Sequence, residues 1–390
     1  MDRLARRFKW GLDTEETMTD RIVVLGAGYA GLGAAKRAAR RLQGAGAQVT
    51  LVNASDRFVE RVRLHQLAAG QPLPDLPLLD LLDGTGVELV VARVTGLDLD
   101  ARAVRLDAAP YSLSYDVLIY ALGSDADRDG VPGIGEHAFT LASAGEAARL
   151  RSRLAETGSV VVVGGGLTGI EAATEFAATH PRLGVELVSG GTIGGWLSPR
   201  ARRHLHRAFG RLGVAVRERA TVAKIGPDGL LLDDGHELPA ETVVWTAGFR
   251  VPGLAAASGL ATDEHGRMRV DGALRSVSHP EVFGIGDAAA ARTAGGQSRM
   301  SCQTGLPMGL QAGDAVADLL AGREPRRARI RYVWQNISLG RHDGVTQFTR
   351  ADDSPLGAVL TGRASATFKE AITRGTVWRM RHPGPYGPGA

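Results

Sequence analysis

Apolar residues in this chain gather in short runs, and alanine-rich segments with helical periodicity follow two of these runs. Residues 21–25 predict a strand, 32–42 a helix and 48–53 a second strand, and the order repeats at 160–163, 169–179 and 184–188. Further strands are predicted at 87–91, in a hairpin over 94–106, at 115–120 and at 242–245. Short apolar runs that alternate with helical patterns are typical of βαβ units. The pattern therefore predicts an α/β fold built around two such units.

A glycine triplet lies between the strand and the helix of each unit. In the spacing G-x-G-x-x-G, the glycines allow a tight turn and close approach of the backbone to a pyrophosphate at a helix N-terminus. The strand before and the helix after each triplet are the context that this fingerprint requires. We therefore predict two Rossmann-like dinucleotide sites. Their candidate binding residues are Gly26, Gly28, Tyr29, Ala30 and Gly31 in the first loop, and Gly164, Gly166, Leu167, Thr168 and Gly169 in the second.

The residue that ends the second strand of each unit faces an adenosine ribose in such folds, and it is normally an acid. Asn53 holds this place in the first unit; its amide can bind a ribose, or it simply ends the strand in a turn. Ser189 holds it in the second unit, where serine neither demands NAD nor excludes NADP. Arg200, Arg202 and Arg203 follow, and they either meet a 2′-phosphate or stay exposed on a helix.

Bulk properties set the class of protein. The chain has 390 residues, of which 44% are hydrophobic and 23% charged, so it can bury a large core and form two or three domains. Few aromatic residues and no run of five like charges argue against a nucleic-acid partner. Cys302 is the only cysteine, which excludes an internal disulfide or a Cys-x-x-Cys pair, and we expect it to be buried and inert. No signal peptide or long apolar segment is predicted, so we expect a cytoplasmic protein.

Three further strand ends complete the pattern. They are Ala121-Leu122-Gly123, Thr246-Ala247-Gly248 and Val282-Phe283-Gly284-Ile285-Gly286-Asp287. With the two triplets, they resemble the two-dinucleotide-binding flavoproteins and, within them, the type II NADH dehydrogenase-like group. The resemblance implies three-layer ββα Rossmann-like domains, with FAD on the first loop, NAD(P)H on the second, and an FAD domain split around the nucleotide domain.

The implied boundaries follow from the motif positions. The FAD-binding domain would comprise residues 20–136 and 259–322, the NAD(P)H-binding domain 137–258, and a small C-terminal α+β segment 323–390. Residues 1–19 are expected to be a disordered extension. In the C-terminal segment we predict strands at 330–338 and 345–349 and a helix at 368–374. Trp378 and Met380 could form a peripheral contact at the inner face of the membrane, or the segment could pack on the FAD domain. A homodimer is a further open alternative.

The resemblance also assigns roles to single residues. The strand ends imply that Ala121, Gly123, Ala247, Gly248 and Gly286 contact the cofactors. Asp287 would bind the ribityl chain of FAD, or alternatively cap a following helix. Glu171 would lie near the nicotinamide and flavin as a catalytic residue, although the helix dipole alone favours an acid in a first turn.

Two stretches are expected to border the flavin. Segment 58–66 would cover it, with Arg63 as a cofactor contact and His65 as either a proton donor or a structural residue. Gln303 matches the first glutamine of the group's quinone-site helix. Pro307 departs from that helix, and because proline is tolerated only in a first turn, the helix is predicted to run from Leu306 to Leu320. Lys369 and Glu370 lie either near the flavin or on a solvated helix face.

The function implied is transfer of hydride from NAD(P)H to FAD and of electrons onward to a quinone or quinone-like acceptor, with no metal. Alternatives are a tailoring oxidoreductase of a secondary-metabolite quinone and a ferredoxin-type reductase. An alternative outside the enzymes is a redox-responsive binding protein that resembles the apoptosis-inducing factors.

Overall fold

The computed structural model of the chain describes residues 19–381. Its strands and helices are numbered in chain order. The first third holds β1 (Asp20–Leu25), α1 (Tyr29–Arg41), β2 (Ala47–Asn53), α2 (Leu64–Ala68), α3 (Leu78–Leu82), β3 (Val87–Val91), β4 (Val94–Asp98), β5 (Ala103–Leu106), β6 (Ser112–Ser114), β7 (Val117–Tyr120) and β8 (Asp125–Ala126). The middle holds α4 (Ile134–His137), β9 (Ala138–Thr140), α5 (Ala144–Leu154), β10 (Ser159–Val163), α6 (Leu167–Thr179), β11 (Gly184–Ser189), α7 (Pro199–Leu212), β12 (Ala215–Glu218), β13 (Val222–Gly226), β14 (Gly229–Leu232), β15 (Glu237–Pro239), β16 (Thr242–Trp245) and β17 (Phe249–Arg250). The last third holds α8 (Leu254–Ala257), β18 (Met268–Arg269), β19 (Val282–Gly284), β20 (Ala289–Ala290), β21 (Arg292–Thr293), β22 (Gly296–Gln297), α9 (Cys302–Leu320), β23 (Trp334–Ser338), β24 (Gly344–Thr349), β25 (Pro355–Thr361) and α10 (Gly362–Arg381).

Two five-stranded parallel sheets dominate the fold. The first has the strand order β19–β7–β1–β2–β3, and the second has the order β12–β11–β10–β16–β9. Strand β19 follows the whole second sheet in the sequence but lies beside β7 in the first. The first unit is therefore interrupted by the second, in the split arrangement that the motifs predicted.

Side chains of the central strands point alternately to two cores, one on each face of the sheet, so each unit has three layers. Ile22 and Val24 pack into a core with α1 and α9, whereas Val23 and Leu25 pack on the opposite side with residues of the antiparallel strands β4 and β5. Because successive side chains of a strand point to opposite faces, one strand serves both cores. The same division holds for β10, with helices on one face and strands β13 to β15 on the other. The predicted ββα layering is confirmed.

Helix α9 begins at Cys302, so the predicted start near Leu306 is wrong. Pro307 lies inside the helix, in its second turn. A stripe of Gly305, Gly309 and Gly313 brings this helix close to α1, and a Cβ at position 309 would overlap the carbonyl oxygen of Ala30. Close packing of α9 against α1 stabilises the helix on both sides of the proline, which local propensity alone does not anticipate.

The C-terminal segment adds a three-stranded antiparallel sheet and a long helix. Two of its strands were predicted; the third, β25, was missed, and α10 is much longer than the predicted 368–374. Ile337 and Val345 join the core of the second unit, and Met380 joins the core of the first. The segment thus contacts both units. Met380 is buried, and of the pair considered for membrane contact only Trp378 is exposed.

The prediction of a disordered extension at residues 1–19 falls almost wholly on residues 1–18, which lie outside the described part of the chain. Among residues 19–381, no helix is both long enough and apolar enough to cross a bilayer.

Candidate functional site

The first glycine loop has the shape that a pyrophosphate requires. Gly26 adopts a φ of 96°, which favours glycine, and a Cβ on Gly31 would overlap the Gly26 carbonyl oxygen. At Gly28, by contrast, a Cβ would meet open space. The backbone is therefore tightly folded on its protein side and open on the side where a ligand would lie.

The second loop repeats this geometry. Gly164 has a φ of 125°, a Cβ on Gly169 would overlap the Gly164 carbonyl oxygen, and the position of Gly166 is open. Each loop leads directly into a 13-residue helix, α1 or α6, whose first backbone N–H groups face the loop. Tyr29, Ala30, Leu167 and Thr168 lie in these first turns, as predicted for anion binding at a helix N-terminus.

The two strand-end residues hold the loops in place. Asn53 Oδ1 accepts a hydrogen bond from Ala27 N at 2.9 Å, while its Nδ2 donates to the Ser55 carbonyl oxygen at 2.7 Å. These bonds show the strand-ending turn role of Asn53, and its contact with a ribose stays a prediction. Ser189 Oγ accepts from Gly191 N at 3.3 Å, and a Cβ on Gly165 would overlap it.

Asp287 lies at the carboxyl edge of the first sheet. It sits in a short 3-10 turn (Gly286–Ala288) without a side-chain cap, so the alternative role as cap of a longer helix finds no support. Its Oδ2 accepts from Ser124 Oγ at 2.7 Å, and the Ser124 carbonyl oxygen accepts from Arg61 Nη1 at 2.7 Å. Gly123 and Gly286 both have positive φ, at 70° and 68°. Gly123 thus directly precedes Ser124, the residue that binds Asp287 and that sequence reasoning missed.

At the corresponding edge of the second sheet, Ala247 and Gly248 follow β16. Gly248 has a φ of 86°, and the Thr246 hydroxyl donates to the Val163 carbonyl oxygen at 2.8 Å. The strand end is therefore tied to the second glycine loop, and it resembles the end of β7 in the first unit.

Two buried polar atoms without partners belong to the helices α1 and α9. Within the described residues, the Tyr29 hydroxyl and Gln303 Oε1 are buried and make no hydrogen bond. Burying such groups is unfavourable unless a partner is supplied. Together with the open Gly28 and the glycine-lined loop, these atoms fit a flavin dinucleotide with a polar ring edge.

Cys302 is the first residue of α9. It is exposed, so the expectation of a buried cysteine is wrong. The first turns of α9 pack beside the turn that holds Asp287, since a Cβ on Gly305 would lie 4.0 Å from Gly286 Cα.

Glu171 forms the centre of a buried charge cluster. It is the fifth residue of α6, beyond the first turn, so a helix-dipole role is not what places it there. Its Oε1 accepts from Lys369 Nζ and from Ser338 N at 2.9 Å, and Lys369 also donates to Ser338 Oγ at 2.7 Å. Burial alone would raise the pKa of Glu171, but the Lys369 charge and these hydrogen bonds lower it. The carboxylate is held ionised.

His65 packs against the same carboxylate. Its Nδ1 lies 3.8 Å from Glu171 Oε2, and its Nε2 is buried without a partner. Desolvation lowers the pKa of His65 to about 4, so the ring is neutral at pH 7. One turn further along α6, burial raises the pKa of Glu175, although Arg341 lies 3.9 Å away.

Arg63 is occupied by protein groups. Its guanidinium donates to both carboxylate oxygens of Glu370 at 3.0 Å, to Glu60 at 3.1 Å and to Gln66 at 3.2 Å. This network fastens segment 58–66 to α10. The contact of Arg63 with a cofactor stays a prediction. Lys369 and Glu370 are not on a solvated face. Sequence reasoning missed Ser338 and Arg341 as their neighbours, because no local pattern marks either residue.

Comparisons with known proteins agree with this geometry. A family model described as pyridine nucleotide-disulphide oxidoreductase matches residues 20–309. The NADH dehydrogenase-like protein of Mycobacterium tuberculosis is 35% identical over 376 residues, which cover 90% of this chain and 92% of the relative. The type II NADH:quinone oxidoreductase of Staphylococcus saprophyticus is 26% identical and covers 92% of this chain and 96% of its own. The solved structure of NDH2 from Plasmodium falciparum with NADH has a TM-score of 0.79 at 15% identity, covering 93% of this chain and 96% of that one, and so shares the fold.

Proposed function

Because this chain belongs to the pyridine nucleotide-disulphide oxidoreductase family and is a type II NADH dehydrogenase-like flavoprotein within it, we propose that it oxidises a reduced nicotinamide dinucleotide and reduces a quinone. A redox-active disulphide within the chain is excluded here, since Cys302 is the only cysteine of the sequence.

One observation carries the proposal. Helix α10 pairs with both dinucleotide-binding parts of the chain, because its Glu370 binds Arg63 of segment 58–66 and its Lys369 binds Glu171 of α6. We call the group formed by Glu171, Ser338 and Lys369 the polar centre. The two dinucleotide loops lie on separate sheets and share this one polar centre. An enzyme that passes electrons between two dinucleotides needs this arrangement, because the reacting rings must be held in line and away from water.

Residues of the first unit hold FAD in this proposal. When bound, FAD supplies a group that accepts hydride from the nicotinamide and gives electrons to a quinone. The first glycine loop and the N-terminus of α1 bind its pyrophosphate, Asn53 its adenosine ribose, and Asp287 its ribityl chain. The second loop, with Ser189 and the end of β16, binds the nicotinamide dinucleotide.

Glu171 and Lys369 are proposed to act at the polar centre. The hydride taken from the nicotinamide carries two electrons and one proton, so one further proton is needed to turn a quinone into a quinol. In this proposal the Lys369 ammonium, which donates to Glu171 and Ser338, supplies that proton. We assign Gln303 to positioning the acceptor or the ring edge, and its buried Oε1 without a partner supports that role.

The test is steady-state oxidation of NADH by the FAD-loaded protein under anaerobic conditions, with menadione as acceptor. We expect the bound flavin to be reduced by NADH and reoxidised in many turnovers. Bleaching of the flavin without turnover would instead favour a redox-responsive binding protein. Flavin reduction that is reversed only by an added ferredoxin would favour a ferredoxin-type reductase, and failure to bind FAD would overturn the proposal.

A further inference from the structure

An open cavity of about 690 Å³ lies at the edge of the second unit. Its wall has an unusual concentration of positive charge. Besides Thr192, it is lined by Arg202, Arg203, His206, Arg207, Glu218 and Arg219. The first four of these six belong to α7, and the last two lie at and just beyond the end of β12.

The cavity adjoins the position that reads an adenosine ribose. Ser189, at the end of β11, pairs with Glu218 in the sheet register, and its carbonyl oxygen accepts from Ala220 N at 3.0 Å. Thr192 follows Ser189 by three residues in the sequence. In folds of this type the second strand of the unit ends beside the ribose 2′ position, and an acid there selects NAD. Here a serine stands in place of the acid.

The positive charges of the cavity are not neutralised by the protein. Within residues 19–381, no acid forms an ion pair with any of the four arginines of the wall, which are Arg202, Arg203, Arg207 and Arg219. Arg217, which precedes Glu218 in β12, does pair with Glu186 at 2.9 Å. The single carboxylate of the wall, Glu218, accepts from Ile193 N at 2.7 Å.

Backbone geometry at the cavity is also unusual. Arg219 adopts a φ of 53°, a left-handed conformation that is uncommon for any residue except glycine and that often marks functional sites. Arg219 directly follows β12, and its backbone conformation helps to bring its side chain to the same cavity wall as the arginines of α7. The cavity is thus a cluster of guanidinium donors, which suit the several acceptor oxygens of a phosphate.

We propose that this cavity binds the 2′-phosphate of NADPH, so that the protein uses NADPH at least as well as NADH. The inference rests on the proposed function, because it concerns the ligand of the second glycine loop. It explains why four arginines surround a ribose position that carries serine.

Binding and catalysis test it separately in the FAD-loaded protein. Isothermal titration calorimetry with adenosine 2′,5′-bisphosphate and with 5′-AMP should show at least about tenfold tighter binding of the bisphosphate, as expected for charge-assisted hydrogen bonds to an added phosphate. In Arg203→Ala and Arg219→Ala, kcat/KM for NADPH should fall by about tenfold or more, and kcat/KM for NADH should stay nearly constant. Arg200→Ala is the matched control, because Arg200 is an exposed arginine of the same helix that does not line the cavity.

Equal affinity for the two nucleotides, or the same loss with NADH and NADPH in the cavity variants, would overturn the inference. The proposed function is judged independently in the same preparations. Turnover of NADH with menadione supports it even if the cavity does not discriminate, whereas selective binding of the bisphosphate without turnover would support the cavity and not the reaction.

Discussion

Glu171 shows how a buried carboxylate can be kept ionised. Desolvation opposes its charge, and the ammonium of Lys369 with the backbone N–H of Ser338 reverses the balance. Burying either charge alone would be very unfavourable, so the two depend on one another. This dependence makes the pair sensitive to a substitution that hardly changes shape.

Glu171→Gln removes the charge and keeps nearly the same volume. We expect kcat for NADH oxidation with menadione to fall about a hundredfold, the usual size of a lost acid–base group, because the Lys369 ammonium loses the carboxylate that holds it in place. FAD content, measured from the visible spectrum, should stay unchanged, since Glu171 is not part of the first glycine loop. Stopped-flow reduction by NADH and reoxidation by menadione will show which half reaction is slowed.

Glu175→Gln is the comparison variant on the same helix. Burial already raises the pKa of Glu175, and its Oε2 has no hydrogen-bond partner in the described structure, so loss of its charge should reduce kcat much less. Equal effects of the two substitutions would mean that general destabilisation of α6, rather than the Lys369 pair, controls turnover.

At the scale of elements, helix α9 depends on its glycine stripe. Gly309→Ala would push a methyl group into the Ala30 carbonyl oxygen, so the helices would have to separate, and overpacking of this kind costs about 1–3 kcal/mol. We expect a lower urea midpoint, followed by circular dichroism, and weaker FAD binding. The reason for the latter is that Ala30 belongs to the first dinucleotide loop.

Gly375→Ala is the control for that substitution. Gly375 also lies inside a helix, α10, but a Cβ there meets nothing within 4 Å. Alanine is a better helix former than glycine by up to about 1 kcal/mol, so this variant should be as stable as the parent or more so. An unchanged midpoint in Gly309→Ala would contradict the close packing of α1 and α9.

The elements differ in how well the sequence predicts them. Strands β1, β10 and β16 are nearly continuous apolar runs, as expected for strands buried on both faces, and they were predicted within a residue or so. Strand β25 begins at Pro355, contains Gly357 and buries only Val359, so it lacks the alternation of buried and exposed residues that marks a strand. The start of α9 was misplaced because a general rule about proline was applied where tertiary packing decides.

For the whole molecule, the motifs predict the two sheets and the loops but not the contacts between distant segments. Glu171 and Lys369 are 198 positions apart, and Arg63 and Glu370 are 307 apart. Nothing local in the sequence marks such partners. A glycine loop, by contrast, is recognisable because turn, strand and helix N-terminus are all built from neighbouring residues. The cofactor loops were therefore predictable, and the polar centre that joins them was not.

The two loops offer a paired test of which unit binds which dinucleotide. Gly28 and Gly166 hold equivalent places, both with negative φ, and a Cβ at either position meets only open space within the protein. Alanine at either site should therefore leave the fold intact and interfere only with a pyrophosphate. Gly28→Ala should lose FAD, seen as a lower ratio of visible to ultraviolet absorbance. Gly166→Ala should keep FAD and show a raised KM for the nicotinamide dinucleotide. The reverse pattern would exchange the two assignments, and loss of FAD from both variants would mean that the sites are coupled through the polar centre.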